Sequence, residues 1–181
     1  GDPWAVEIAW QWQFRDGAAS RQQAITTPVV GRLVDQNGDG SITDADRPVV
    51  AVVVYSEVDI WRGDLVVIDG ETGTELWSQG GVQGASGLLM ADIDADGLLE
   101  LVAVDENNFV VAFRGSGQMI WRAPTAVSDP MPSTQLSVTD LDNDGTITAM
   151  KEELPAYLRL CRSVDRPLPV RATFARWEPE I

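Results

Sequence analysis

Three short stretches carry oxygen-bearing side chains at every second position: Asp35-Gln-Asn-Gly-Asp-Gly40, Asp92-Ile-Asp-Ala-Asp-Gly97 and Asp140-Leu-Asp-Asn-Asp-Gly145. Side chains so spaced can fold inward around one cation, while the glycine permits a sharp backbone turn that keeps a side chain out of its way. Short, hard oxygen donors select calcium over softer metals. The candidate ligands are Asp35, Asn37 and Asp39 in the first loop, Asp92, Asp94 and Asp96 in the second, and Asp140, Asp142 and Asp144 in the third. A backbone carbonyl at the seventh position, from Ser41, Leu98 or Thr146, would add one donor to each. Closure differs between the loops. Glu100 stands ninth in the second, and Asp46 twelfth in the first after an insertion containing Asp44; the third has Thr148 and Lys151 at those places.

Asp, Asn and Gly favour turns without any metal, so one such loop alone would say little. Three copies in matching positions say more, because clustered carboxylates repel one another unless a cation neutralises them. The first loop also fits the EF-hand pattern through Asp35, Asn37, Asp39, Gly40, Ile42 and Asp46. Its flanks, residues 29–34 and 48–55, are strand-like instead of helical, which argues against an EF-hand.

The elements that must hold these loops are short apolar runs. The chain has 181 residues, 44% hydrophobic and 23% charged, enough for one core and too few for several large domains. Runs at 27–34, 48–55, 64–68, 98–104 and 109–113 are valine-rich and bounded by turn residues, which predicts strands. No stretch before residue 150 carries a helical period. Histidine is absent and Cys161 is the one cysteine, which excludes Ser-His-Asp chemistry, His- or Cys-rich zinc sites and an intrachain disulfide. The formal charge of −15 repels phosphate backbones, so no nucleic-acid partner is expected. The longest apolar run, 48–55, is far short of a membrane span. Gly1 is not an initiator methionine and no apolar leader opens the chain, so a mature or excised piece of a secreted, longer chain is expected.

Internal repetition sets the fold. The segment Val66-Val-Ile-Asp-Gly-Glu-Thr-Gly-Thr-Glu-Leu-Trp77 aligns without gaps on Val110-Val-Ala-Phe-Arg-Gly-Ser-Gly-Gln-Met-Ile-Trp121, at an offset of 44. Each half reads as a hairpin. Each is preceded by an acidic loop and an apolar strand, and the three loops start 57 and 48 residues apart. A repeat of about 50 residues carrying four strands is the size of one propeller blade. The expected fold is therefore all-β, a partial β-propeller of about three four-stranded antiparallel blades with Asp-rich calcium loops. Trp77 and Trp121 end equivalent strands in this reading and pack between neighbouring blades, while Trp10 and Trp12 share one face of a strand from a preceding blade. Trp61, beside Arg62, is the alternative candidate for stacking on a sugar.

The loops and the strands around them, over residues 27–149, resemble the FG-GAP/VCBS repeat family, the calcium-loop β-propellers of integrin α-chain heads and of many secreted bacterial proteins. The resemblance rests on Thr27-Pro-Val-Val30 with its loop, Leu88-Leu-Met-Ala-Asp-Ile-Asp-Ala-Asp-Gly-Leu-Leu-Glu-Leu-Val-Ala-Val104 and Leu136-Ser-Val-Thr-Asp-Leu-Asp-Asn-Asp-Gly145. It implies that each loop joins the first two strands of a blade and binds structural calcium at the rim. It also implies an extracellular binding or adhesion scaffold, with a protein or carbohydrate ligand. The hairpin ending at Trp77 further resembles the repeat of quinoprotein propellers, and calcium-dependent polysaccharide lyases use a similar propeller. No catalytic constellation supports either enzyme alternative, since Lys151 is the one lysine.

The pattern breaks after Gly145, where Thr146-Ile-Thr-Ala-Met-Lys-Glu-Glu replaces the expected apolar strand. Residues 1–149 are accordingly assigned to propeller blades and 150–181 to an atypical, Arg-rich tail. A short helix is predicted over 155–164, and the third blade is expected to lack the strand after its loop.

Overall fold

The computed structural model of the chain describes residues 7–13, 23–56, 59–124, 135–139, 148–152 and 172–176, and among them every regular element is a strand. Strands β1 (Val29–Gly31), β2 (Val49–Ser56), β3 (Asp59–Asp69) and β4 (Glu75–Val82) form one antiparallel sheet. A second contains β5 (Leu89–Ala91), β6 (Glu100–Val104), β7 (Phe109–Phe113) and β8 (Met119–Pro124). In a third, β10 (Thr148–Glu152) lies between β9 (Gln135–Thr139) and β11 (Ala172–Arg176). Every sheet runs in sequence order, and the first strands sit together, β1 against β5 and β5 against β9.

The valine runs are continuous instead of alternating because both faces of each central strand are buried. Val49, Ala51 and Val53 of β2, with Leu65 and Val67 of β3, face Leu101, Ala103, Val111 and Phe113 of the second sheet. On the reverse face of that second sheet, Val102, Val104, Val110 and Ala112 pack with Leu136 of β9. Val52, Val54, Val66 and Ile68 cover themselves with Trp10 and Trp12. Alternate residues thus serve alternate interfaces, as the period of two in a strand requires. Each fully buried aliphatic side chain contributes about 1.5–3 kcal/mol relative to exposure.

The stacking of four-stranded sheets agrees with the blades expected from the repeat, and the strand boundaries need correction. β3 begins at Asp59, five residues before the apolar run, where charged Asp59 and Arg62 occupy its solvent end. β6 begins at Glu100, because Leu98 still belongs to the loop and donates its N–H to Asp96 Oδ1 at 2.8 Å. Trp77 and Trp121 are the third residues of β4 and β8, so they lie within their strands instead of ending them. The third sheet has three described strands, and one of them is the strand expected to be missing: β10 follows the third loop and pairs with both β9 and β11. Sheet formation needs an extended backbone beside an open edge, not an apolar run. Residues 146–152 offer Thr146, Ile147 and Thr148 without Gly or Pro. The boundary drawn between 149 and 150 therefore falls inside a strand. The helix predicted over 155–164 lies outside the described residues.

The first two sheets are locked by a tryptophan. Trp77 of the first sheet donates its indole N–H to the Gly115 carbonyl in the β7–β8 hairpin at 2.7 Å. Its ring lies over Gly117, where an added Cβ would approach to 3.1 Å. Trp10 repeats this one blade earlier: it donates to the Gly70 carbonyl at 2.9 Å and covers Gly73 of the β3–β4 hairpin. Gly73 and Gly117, 44 residues apart, both have positive φ, at 70° and 83°. Trp10 thus takes the role that Trp77 takes on β4, but residues 7–13 form no strand in the structure, contrary to the strand expected there.

Candidate metal centre

The first two acidic loops join β1 to β2 and β5 to β6, and they share one backbone design. The leading carboxylate folds back on its own loop: Asp35 accepts the N–H of Gly38 at 2.7 Å and of Gly40 at 2.8 Å, and Asp92 that of Asp96 at 3.2 Å and of Gly97 at 3.0 Å. Asp39 and Asp96 accept the amides of Ser41 and Leu98 at 2.9 and 2.8 Å. Gly40 and Gly97 match in φ, at 88° and 86°. Position four is left-handed in both, glycine at Gly38 with φ 75° but alanine at Ala95 with φ 59°, a strained choice for a residue with a Cβ.

The closing acids also correspond, although they stand at different places in the sequence. Asp46 Oδ1 accepts the N–H of Gln36 at 2.9 Å, and Glu100 Oε2 accepts that of Ile93 at 3.0 Å, the second residue of each loop. Beyond this the loops diverge. Asp46 also takes the amides of Asn37 at 3.3 Å and Thr43 at 2.9 Å. The Thr43 amide above all holds its carboxyl below the usual range against the opposing effect of burial. Its oxygens are thus committed to the backbone. Asn37 Nδ2 donates to Asp39 Oδ2 at 3.0 Å, and the acids of this loop do not converge.

In the second loop they do. One oxygen each from Asp92, Asp94 and Glu100 lies within 4.8 Å of the others, a group that can hold a metal ion. Glu100 is 1% exposed, and burial, with the like charges of Asp94 and Asp96, pushes its carboxyl up to about 7 against the Ile93 amide and Arg114. The Asp94 side chain is 8% exposed, and its buried Oδ1 has no hydrogen-bond partner. A buried carboxylate with one unsatisfied oxygen, in a group with two further acids, is an arrangement that a hard divalent cation fits. Asp96 stands outside the trio, and the Leu98 amide, followed by Arg114, keeps its carboxyl below the usual range. Arg114, which the sequence did not single out as part of a site, bonds Asp96 Oδ2 at 3.1 Å and Asp94 Oδ2 at 3.3 Å. Asp140, Asp142, Asp144 and Thr146 lie outside the described residues. Trp61 is half-buried, and its neighbour Arg62 pairs with Glu106 at 3.3 Å.

Antiparallel sheets stacked face to face, each with an acidic loop between its first two strands, make a blade-like arrangement. The model of the FG-GAP-like repeat matches residues 92–147, from the first aspartate of the second loop through β9 into the third, and the resemblance is shown over that span. The solved V. cholerae biofilm matrix protein Bap1 is similar in fold, with a TM-score of 0.72 at 23% identity, over 80% of this chain and 25% of that one. The chain thus spans about a quarter of that relative's length. No curated protein matches the sequence.

Proposed function

We propose that this chain is a calcium-binding, extracellular β-propeller repeat module that acts as a non-catalytic binding or adhesion scaffold for a protein or carbohydrate ligand. The observation that carries the reading is the second loop, where Asp94 Oδ1 is buried without a partner beside Asp92 and the buried Glu100. Those three side chains would hold the ion, and the Leu98 carbonyl would complete the set. The likeness to a biofilm matrix protein and the FG-GAP-like repeat support an extracellular scaffold. No helix among the described residues is long and apolar enough to cross a membrane. The ion's role is structural: it neutralises acids that the fold brings together.

Calcium should therefore raise the melting temperature by mass action, with dissociation constants of about 10⁻⁴ to 10⁻³ M, as in extracellular modules. A melt unchanged between excess EDTA and several millimolar calcium would end this reading.

The loops should rank in affinity. The second has a converged acid trio, the first commits Asp46 to backbone amides, and the third has no acid at either closing position. Asp94→Ala is expected to remove the tightest calcium signal in isothermal titration, and Asp142→Ala to change it least. The reverse order would mean that the second loop is not the principal site.

A further inference from the structure

We propose that Arg114 is a tethered cation built into the second loop, one that a divalent ion must displace, so that this residue sets how tightly the site takes metal. The inference rests on the metal reading above. The guanidinium pairs with Asp94 Oδ2 at 3.3 Å and with Asp96 Oδ2 at 3.1 Å, and lies 3.9 Å from Glu100 Oε1. It therefore touches two of the three acids that converge, from the side of the β7–β8 hairpin. It does not satisfy them. Asp94 keeps one oxygen buried and unpartnered while the other faces the guanidinium, so the carboxylate is only half used.

A divalent ion on Asp94 and Glu100 would sit within a few ångströms of the guanidinium, and like charges at such a separation repel strongly where water is excluded. Arg114 must then leave. Its backbone stays in place, because the next residue, Gly115, accepts the Trp77 indole N–H. The side chain can move: it is 40% exposed and borders a crevice of about 340 Å³ between the two loops, lined by Leu33, Val34, Ile42 and Ser116 among others. The first loop is built differently. There Asp39 Oδ2 accepts from the neutral Asn37 amide, and among the described residues no basic side chain pairs with Asp35 or Asp39. The second loop thus has the better acid set and a resident competitor for it.

The experiment measures calcium binding and melting of the whole chain for wild type, Arg114→Gln and Arg114→Lys. Arg114→Gln is expected to melt lower than wild type in EDTA and to bind calcium about tenfold more tightly, with Arg114→Lys intermediate in both. Opposite signs in the two readouts are the mark of a displaced counter-ion, since a residue that merely supports the loop would lower both. In wild-type protein the Arg114 Nε–H resonance should shift as calcium is added, a readout that needs no variant. Equal or weaker calcium binding by Arg114→Gln, or an unmoved resonance in protein that binds calcium, overturns the proposal and leaves the metal reading intact. Absence of binding in wild type and variants alike overturns both.

Discussion

Gly115→Ala is expected to lower stability more than any single substitution in the acidic loops, by about 3–5 kcal/mol. An added Cβ at this position would run into the backbone carbonyl oxygen of Leu33, across the junction of the first two sheets. Leu33 is 1% exposed and belongs to the core between those sheets. A backbone oxygen cannot rotate aside as a side chain can, so the sheets must part. Parting them also strains the bond from Trp77 to the Gly115 carbonyl. Chemical denaturation would measure the loss, with the exposed neighbour Ser116→Ala as a control expected to stay within about 0.5 kcal/mol. An alanine variant as stable as wild type would mean that the sheets are not spaced as described.

The second large effect is a dependence on pH that calcium should abolish. In EDTA, Glu100 titrates near 7 when folded, against 4.5 for an unperturbed glutamate. The folded protein therefore holds a proton that the unfolded chain releases, and stability falls as pH rises between those values. The difference is worth about 3 kcal/mol at most. Asp46, Asp69 and Asp96 act oppositely but outside this window, because their carboxyls lie below the ordinary 3.8 and lose stability only in stronger acid. Melting in EDTA should thus improve from pH 7.5 to pH 5, and Glu100→Gln should flatten that trend while raising stability at neutral pH. The same variant should weaken calcium binding. A Glu100→Gln melt that tracks wild type across this range would show that the carboxyl is not held protonated.

Much of this was legible in the sequence because the cues were local. Valine runs buried on two faces read as strands whatever their partners, and alternating oxygen donors before Gly40 and Gly97 announced the loops. The offset between Trp77 and Trp121 marked the repeat, although both tryptophans lie within their strands instead of closing them. What escaped depends on distant neighbours. Arg114 reaches its acids across 18 to 20 residues, and nothing beside it in the sequence names Asp94 or Asp96 as its partners. The strand β10 carries no apolar run and is specified by its neighbours β9 and β11. Asp46 and Glu100 were readable as closing acids despite the insertion before Asp46, but the amide that each one meets, and the commitment of Asp46 to the backbone, were not.

The tryptophan contacts give the array a direction. Trp10 closes on the turn that follows β3, and Trp77, on the next strand, closes on the turn that follows β7. In each case the indole belongs to the earlier stretch of chain and the glycine turn that receives it to the later one. A lesion therefore has unequal reach. Removing the Trp77 indole should leave its own sheet intact and unseat the turn of the sheet after it, whereas damage to that turn should strand the indole of the sheet before it. The join between the first two sheets is thus one-sided: the earlier sheet supplies the indole, and the later one the glycine turn that must be formed before the indole has a seat.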